Sequence, residues 1–258
     1  MQSSMVIKNK NINTLINLID ANKKKESINV MKRVEFKYIL NKEQIDYLTK
    51  ELKGHMVIDE YGMTSIASLY YDTPNYRLIR ASIEKPEFKE KIRLRSYGLA
   101  NNNSKVYLEL KRKYDGIVYK RRKELKIDEV NDFFNKRIEF DSNQIGKEIT
   151  YFRNFYGTLI PSCLIIYDRV AYYEPDGDLR LTIDYNPRYR FDNLNLTDSM
   201  EGTSLLEEGG AILEIKIQDS IPLWLSDILT KGKIYKNSFS KYGEAYKRKL
   251  REREWFYV

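Results

Sequence analysis

Charged residues recur two positions apart inside segments whose intervening residues are apolar, and this alternation constrains the fold more than any other feature of the chain. Glu35/Lys37, Arg93/Arg95, Glu109/Lys111, Lys120/Arg122, Arg180/Thr182/Asp184 and Glu214/Lys216 all follow it. In a strand, side chains two apart share a face. Each segment therefore predicts a strand with one charged face and one packed face, the latter carrying Val34 and Phe36, Ile92 and Leu94, Leu108 and Leu110, or Ile215 and Ile217. One such strand is ordinary in a half-exposed antiparallel sheet. A whole set of them is accounted for at once by an α+β fold in which an antiparallel sheet closes into a tunnel barrel, with helices packed outside and the charged face lining the lumen.

The chain of 258 residues is long enough to bury a sizeable core, and no composition shift divides it. Residues 31–258 are expected to form a single tunnel domain. Residues 1–30 read as an N-terminal extension, because the polar run at 22–27 separates a short apolar stretch at 14–19 from the body. The net charge of +8 favours an anionic partner: nucleic acid, a polyphosphate or nucleotide, or an anionic membrane surface. A single cysteine, Cys163, leaves no disulfide framework or thiolate metal site and suits a reducing compartment. A single histidine, His55, excludes a histidine-rich metal site. With no run of about 18 apolar residues and no signal-peptide profile, a cytoplasmic location is expected, with any membrane association supplied by a separate membrane-protein partner.

The spacing of apolar residues predicts strands over 31–40, 64–72, 88–97, 105–114, 117–127, 164–173, 179–186 and 211–218. Helices are predicted over 42–53, from Thr73-Pro74 to about 85, over 128–134 and 142–156, from Pro222, and from a Ser238 cap to Leu250. Asn41 followed by Gln44 has the pattern of a capping box. Asp115-Gly116 is a strong hairpin turn.

On the charged faces, Lys91, Arg93 and Arg95 form a dense cationic row. Arginine forks match phosphate oxygens in bidentate fashion, so adjacent forks suit a chain of phosphates. The following hairpin adds Lys111, Lys120 and Arg122. Tyr167 and Arg169 align on a later strand, Arg180 and Lys216 on the last two, and Lys241 stands where it could reach a tunnel mouth. Glu35, Glu109, Asp184 and Glu214 fall on the same faces. Their carboxylates can hold a hard divalent cation, Mn2+ or Mg2+, or can offset the charge of neighbouring cations.

Arg33-Val34-Glu35-Phe36-Lys37-Tyr38, Lys91-Ile92-Arg93-Leu94-Arg95-Ser96-Tyr97-Gly98, Glu109-Leu110-Lys111-Arg112-Lys113, Tyr119-Lys120-Arg121-Arg122, Tyr167-Asp168-Arg169-Val170-Ala171-Tyr172, Leu179-Arg180-Leu181-Thr182-Ile183-Asp184, Ile212-Leu213-Glu214-Ile215-Lys216 and Ser240-Lys241-Tyr242 follow one another in this order. Together, over about residues 31–250, they resemble the VTC domain, the polyphosphate polymerase domain of the vacuolar transporter chaperone complex, in the triphosphate tunnel metalloenzyme (CYTH-like) superfamily. The resemblance implies an antiparallel tunnel that binds a nucleoside triphosphate through its phosphates with Mn2+ or Mg2+. Lys37, Arg93, Arg95, Lys111, Arg169 and Lys241 would grip phosphates, Glu214 would hold the metal, Lys120 or Arg122 would add a contact, and Tyr167 would hydrogen-bond a phosphate from the wall.

One departure bears on the reaction. The triphosphatase and cyclase branches of that superfamily begin with Glu-x-Glu-x-Lys, whereas Arg33 stands here in place of the first acid. That favours transfer of the ATP γ-phosphoryl group to inorganic polyphosphate over hydrolysis. The rivals are an inorganic or nucleoside triphosphatase of the same fold and a polyphosphate- or nucleic-acid-binding module without turnover.

Overall fold

Alternating strands need something to cover their packed faces, and the order of the elements provides it. The computed structural model describes residues 34–84, 86–115 and 117–254. The predicted extension over 1–30, Arg33 and the turn glycine Gly116 lie outside the described residues. The strands are β1 (Val34–Leu40), β2 (Val57–Asp72), β3 (Phe88–Tyr97), β4 (Lys105–Tyr114), β5 (Ile117–Lys126), β6 (Ile160–Tyr173), β7 (Arg180–Arg190), β8 (Thr203–Ser204), β9 (Ala211–Ile217) and β10 (Lys236–Asn237). The helices are α1 (Lys42–Glu51), α2 (Arg77–Ile83), α3 (Ile127–Phe134), α4 (Gln144–Tyr156), α5 (Leu223–Lys231) and α6 (Lys241–Glu254).

All the strands join one antiparallel sheet, in the order β10-β1-β9-β7-β6-β2-β3-β4-β5, with β8 attached to β7. The fold is therefore α+β. Among the described residues no hydrogen-bonded ladder joins β5 to the β10–β1 edge, so hydrogen bonds do not close the sheet.

The packed face follows the alternation. Ile92, Leu94, Leu108 and Leu110 are buried against Val130 and Phe133 of α3 and Ile149 and Phe152 of α4. Leu181, Ile183, Leu213 and Ile215 are buried against Ile45 and Leu48 of α1 and Leu225, Ile228 and Leu229 of α5. Each such side chain contributes about 1.5–3 kcal/mol relative to an exposed one. Truncating Leu110, which is wholly buried, to alanine would cost about 2–5 kcal/mol.

Helix α6 departs from the expected arrangement, because it does not join the outer layer. Tyr242, Ala245 and Tyr246 pack against Ile66, Tyr70, Cys163, Ile165 and Tyr167. Tyr70 pairs across strands with Arg93, and Ile66 with Tyr97 and Tyr167, so these apolar residues occupy the charged side of the sheet. The inner face is thus apolar at one end of β2 and β6, and α6 covers that end.

Several boundaries move for local reasons. The Asn41 capping box forms as predicted, with Asn41 Oδ1 accepting from the Gln44 amide and Gln44 Oε1 from the Asn41 amide. Helix α2 begins later than Pro74 because the buried Asp72 carboxylate accepts from the amides of Thr73, Leu78 and Ile79, folding residues 73–76 into a turn that ends on Tyr76 at φ +58°. Strand β2 starts seven residues earlier than predicted, where Val57 and Ile58 pair with Tyr173 and Tyr172. Helix α6 is capped by Ser240, which accepts from the Gly243 amide, rather than by Ser238.

Candidate functional site

Cross-strand partners share a face, so the register gathers the two-apart charges into one band. Lys91 pairs with Lys111, and Lys111 with Lys120; Arg93 pairs with Glu109, and Glu109 with Arg122. On the other side Arg169 pairs with Asp184, Glu214 with Thr182 and Lys37, and Lys216 with Arg180 and Glu35.

The β3–β5 wall centres on Glu109, which is 1% exposed. Arg93 reaches its Oε2 through Nε at 2.9 Å and Nη2 at 2.8 Å, and Lys120 reaches Oε1 at 3.0 Å. Arg95 and Arg122 stand at 3.7 and 3.8 Å. Burial alone would raise the Glu109 carboxyl, but Arg93, Arg95 and Lys120 outweigh it and hold it at about 2. Arg95 also donates to the Tyr167 hydroxyl at 3.2 Å, and Arg122 lies over the Tyr107 ring at 3.7 Å.

The β6–β7–β9–β1 wall holds the remaining acids. Arg169 grips the fully buried Asp184 with both nitrogens, at 2.5 and 2.8 Å, and Lys241 of α6 donates to the same carboxylate. Glu214 lies 3.0 Å from Lys37, 3.4 Å from Lys216, 3.7 Å from Arg169 and 3.8 Å from Lys241. Lys37 also meets Glu35 at 3.2 Å. Burial opposes ionisation of Glu214 and Asp184, yet their cations hold both carboxyls below the ordinary range.

These two walls act on each other through space. Burial lowers the Lys111 ammonium of β4, with Lys37 and Arg93 adding to the effect while Glu35 of β1 opposes it. Lys111 is nevertheless exposed to solvent. Charge there is not balanced: the lysines and arginines named outnumber the four carboxylates. Burial lowers Lys91 to about 8, Lys111, Lys89 and Lys37 acting in the same sense against Tyr70. Burial would raise the Tyr70 phenol, but Arg93, Lys91 and Arg95 pull it down to about 8. Tyr70 falls against the effect of burial, and so reports the positive charge of Arg93, Lys91 and Arg95 around it.

Of the predicted site residues, Lys37, Arg93, Arg95, Lys120, Arg122, Arg169, Lys216 and Lys241 all enter these clusters, and Tyr167 lies within them, its ring under Arg169 and Lys241. Arg180 does not: it donates to the Leu179 carbonyl at 3.0 Å and stacks over Tyr173. Lys91 and Lys111 make no ion pair among the described residues; Lys91 lies 3.5 Å from the Ser240 hydroxyl. Sequence reasoning missed Tyr70, which accepts from Arg93 at 3.0 Å and stacks on Tyr242. It also missed the tie of Tyr242 to Asp72 at 3.0 Å and to Ser162 at 2.7 Å, which fixes the start of α6 and hence Lys241. A separate cavity of about 270 Å3, lined by Asn186, Arg188, Ser204 and Glu207, contains none of these groups.

No three acidic, histidine or cysteine side chains converge as a preformed metal cage among the described residues. A cage is not required for Mg2+, which is commonly held by one or two carboxylates together with substrate phosphates. Glu35 and Glu214 both lie against the Lys37 ammonium, at 3.2 and 3.0 Å, so two hard oxygen donors stand together on this wall.

The family model for the VTC domain matches residues 32–249. No curated protein matches the chain. Among solved structures, a candidate adenylate cyclase of Bacillus halodurans is similar at a TM-score of 0.52 and 14% identity, with 81% of this chain and 95% of that chain covered. A candidate adenylyl cyclase from Hippeastrum with a dominant triphosphatase activity gives 0.48 and 17%, with 81% and 93% covered. The PH1819 protein of Pyrococcus horikoshii gives 0.47 and 15%, with 84% and 99% covered. At these identities the likeness concerns the fold alone.

Proposed function

The chain belongs to the VTC domain family, and from that premise we propose that it is a polyphosphate polymerase, transferring the γ-phosphoryl group of ATP to a growing inorganic polyphosphate chain in a tunnel formed by the curled sheet. The observation that carries this reading is the band of lysines and arginines that the strand register gathers on the two walls, more numerous than the carboxylates among them. A folded site gains nothing from setting Lys91 opposite Lys111, neither of which makes an ion pair among the described residues, whereas a chain of phosphates would neutralise them.

Arg93, Arg95 and Lys111 bind the phosphates on one wall, and Lys37, Arg169 and Lys241 on the other. Lys91, Lys120, Arg122 and Lys216 extend the cationic surface for the chain, and Tyr167 offers its hydroxyl from the wall. Glu214, with Glu35 and Asp184 beside it, would hold Mn2+ or Mg2+, which supplies further neutralisation of phosphate oxygens. In the reaction the bond from the γ-phosphorus to its bridging oxygen breaks, a bond to the terminal oxygen of the chain forms, and ADP leaves.

Because the acceptor is already an oxyanion, no protein base has to remove a proton. Alignment and charge neutralisation then carry the catalysis. This agrees with a site whose four carboxylates are each engaged by a lysine or an arginine. Arg33 in place of the first acid of the hydrolytic pattern supports transfer over hydrolysis.

Incubation of the pure protein with γ-labelled ATP and Mn2+ tests the proposal. Labelled chains that lengthen with time are expected on a gel. Labelled orthophosphate alone would make the protein a triphosphatase, and tight binding without consumption of ATP would make it a binding module.

A further inference from the structure

Glu109 is out of place among the acids of the site. Glu214 shares Lys37 with Glu35, and Arg169 and Lys241 with Asp184, on neighbouring strands, whereas the four cations around Glu109 meet no second site acid among the described residues. Glu214 also has four cations within 3.8 Å, but there Glu35 shares Lys37 and Asp184 shares Arg169 and Lys241, so a divalent ion would find several carboxylates against that charge, whereas at Glu109 it would find one, and Coulomb repulsion disfavours it more. Arg93, Arg95, Lys120 and Arg122 around Glu109 are the groups a phosphate chain needs. Two of their side chains remain well exposed, 49% for Lys120 and 37% for Arg122, so solvent and solutes reach the pair from the open side. The two oxygens of Glu109 thus occupy the forks and the ammonium that phosphate oxygens would occupy.

We infer that Glu109 is an internal counter-anion that competes with bound phosphate for Arg93, Arg95, Lys120 and Arg122, limiting how tightly the wall holds its chain. This rests on the polyphosphate reading and assigns the carboxylate a positioning role. When phosphate enters, Arg93 and Lys120 exchange Glu109 for phosphate oxygens; when the chain advances or leaves, Glu109 takes them back. The cations are never left bare, so chain movement costs less.

Metal-free calorimetry with inorganic tripolyphosphate tests this on wild type, Glu109→Gln, Glu109→Asp and Glu124→Gln. Glu124 pairs with Lys105 and is a control for loss of one negative charge on the same hairpin. Glu109→Gln is expected to bind about tenfold more tightly, the scale on which one charge acts at several ångströms in a partly solvated site, and to release the ligand more slowly. Glu124→Gln is expected to change affinity by less than about twofold, as exposed pairs do.

Equal or weaker binding by a Glu109→Gln protein that still melts cooperatively would overturn the inference, because the carboxylate would then organise the wall rather than compete for it. Should that variant fail to fold, Glu109→Asp decides: retraction of the charge from Lys120 is expected to tighten binding, and unchanged or weaker binding overturns the inference. Failure of wild type to bind tripolyphosphate would overturn the phosphate reading itself, and the inference with it.

Discussion

Filling the site with phosphate should draw protons into the protein. Lys91 and Tyr70 both titrate at about 8 in the ligand-free state, against ordinary values of 10.5 and 10.0. Burial is the largest cause of the Lys91 shift, with Lys111, Lys89 and Lys37 adding to it, whereas burial opposes the Tyr70 shift, which Arg93, Lys91 and Arg95 bring about. Near pH 8 each group is about half titrated. A polyanion that returns both to their ordinary ranges therefore takes up about one proton per molecule bound, and affinity falls about tenfold per pH unit around pH 8. Metal-free ATP is a suitable ligand, since a terminal phosphate with a second pKa of about 6 stays ionised there. Calorimetry in buffers of different ionisation enthalpy reads the proton count directly. Lys91→Arg, which keeps the charge and removes the titration, should halve it. In the free protein both folded values lie below the unfolded ones, so between pH 8 and 10 the unfolded chain holds more protons and this pair makes stability rise with pH. Zero uptake at pH 8 with an affinity independent of pH would refute the reasoning.

Other variants probe the second wall. Asp184→Asn leaves Arg169 and Lys241 without their buried partner and should cost about 3–5 kcal/mol, a fall of about 10 °C in melting temperature for a chain of this size, read by thermal unfolding. Tyr242→Phe removes the hydroxyl held by Asp72 and Ser162 and should cost about 1–3 kcal/mol; because Lys241 is its neighbour, ATP turnover should fall by more than the melting curve alone accounts for. Glu214→Gln should lower Mn2+-dependent turnover by about 100-fold or more while metal-free ATP binding persists, as separate turnover and calorimetric measurements would show.

How much of this was legible in the sequence varies with the kind of signal. Strands β3 and β4 run over the predicted residues because each alternates charges with Ile92 and Leu94 or Leu108 and Leu110 through its middle, and the one charge each carries on the packed face, Glu90 and Arg112, is paired across the strands. The start of β2 was not legible: Asp59, Glu60 and Gly62 interrupt the pattern at a break in the register, and the pairing of Val57, Ile58 and Met63 with β6 on either side of it carries the strand through. The inner position of α6 was hidden because an apolar helical stripe reads alike whichever side of a sheet it covers. Tyr70 and Tyr71 are adjacent aromatics on opposite faces, and only the register shows that Tyr70 joins the charges while Tyr71 packs on the outer core. For Glu109 the face was evident, but its surroundings were not. Four cations meet it because β3, β4 and β5 pair in one register, and a shift of one residue would send them to the outer side.

The most direct measurement is an experimental structure of the protein with an inorganic polyphosphate chain bound. The account predicts phosphates within hydrogen-bonding distance of Arg93, Arg95 and Lys111 on one wall and of Lys37, Arg169 and Lys241 on the other, with Arg93 and Lys120 turned from Glu109 to the chain. A chain bound only on the outer surface, with the ion pairs of Glu109, Asp184 and Glu214 undisturbed, would contradict it.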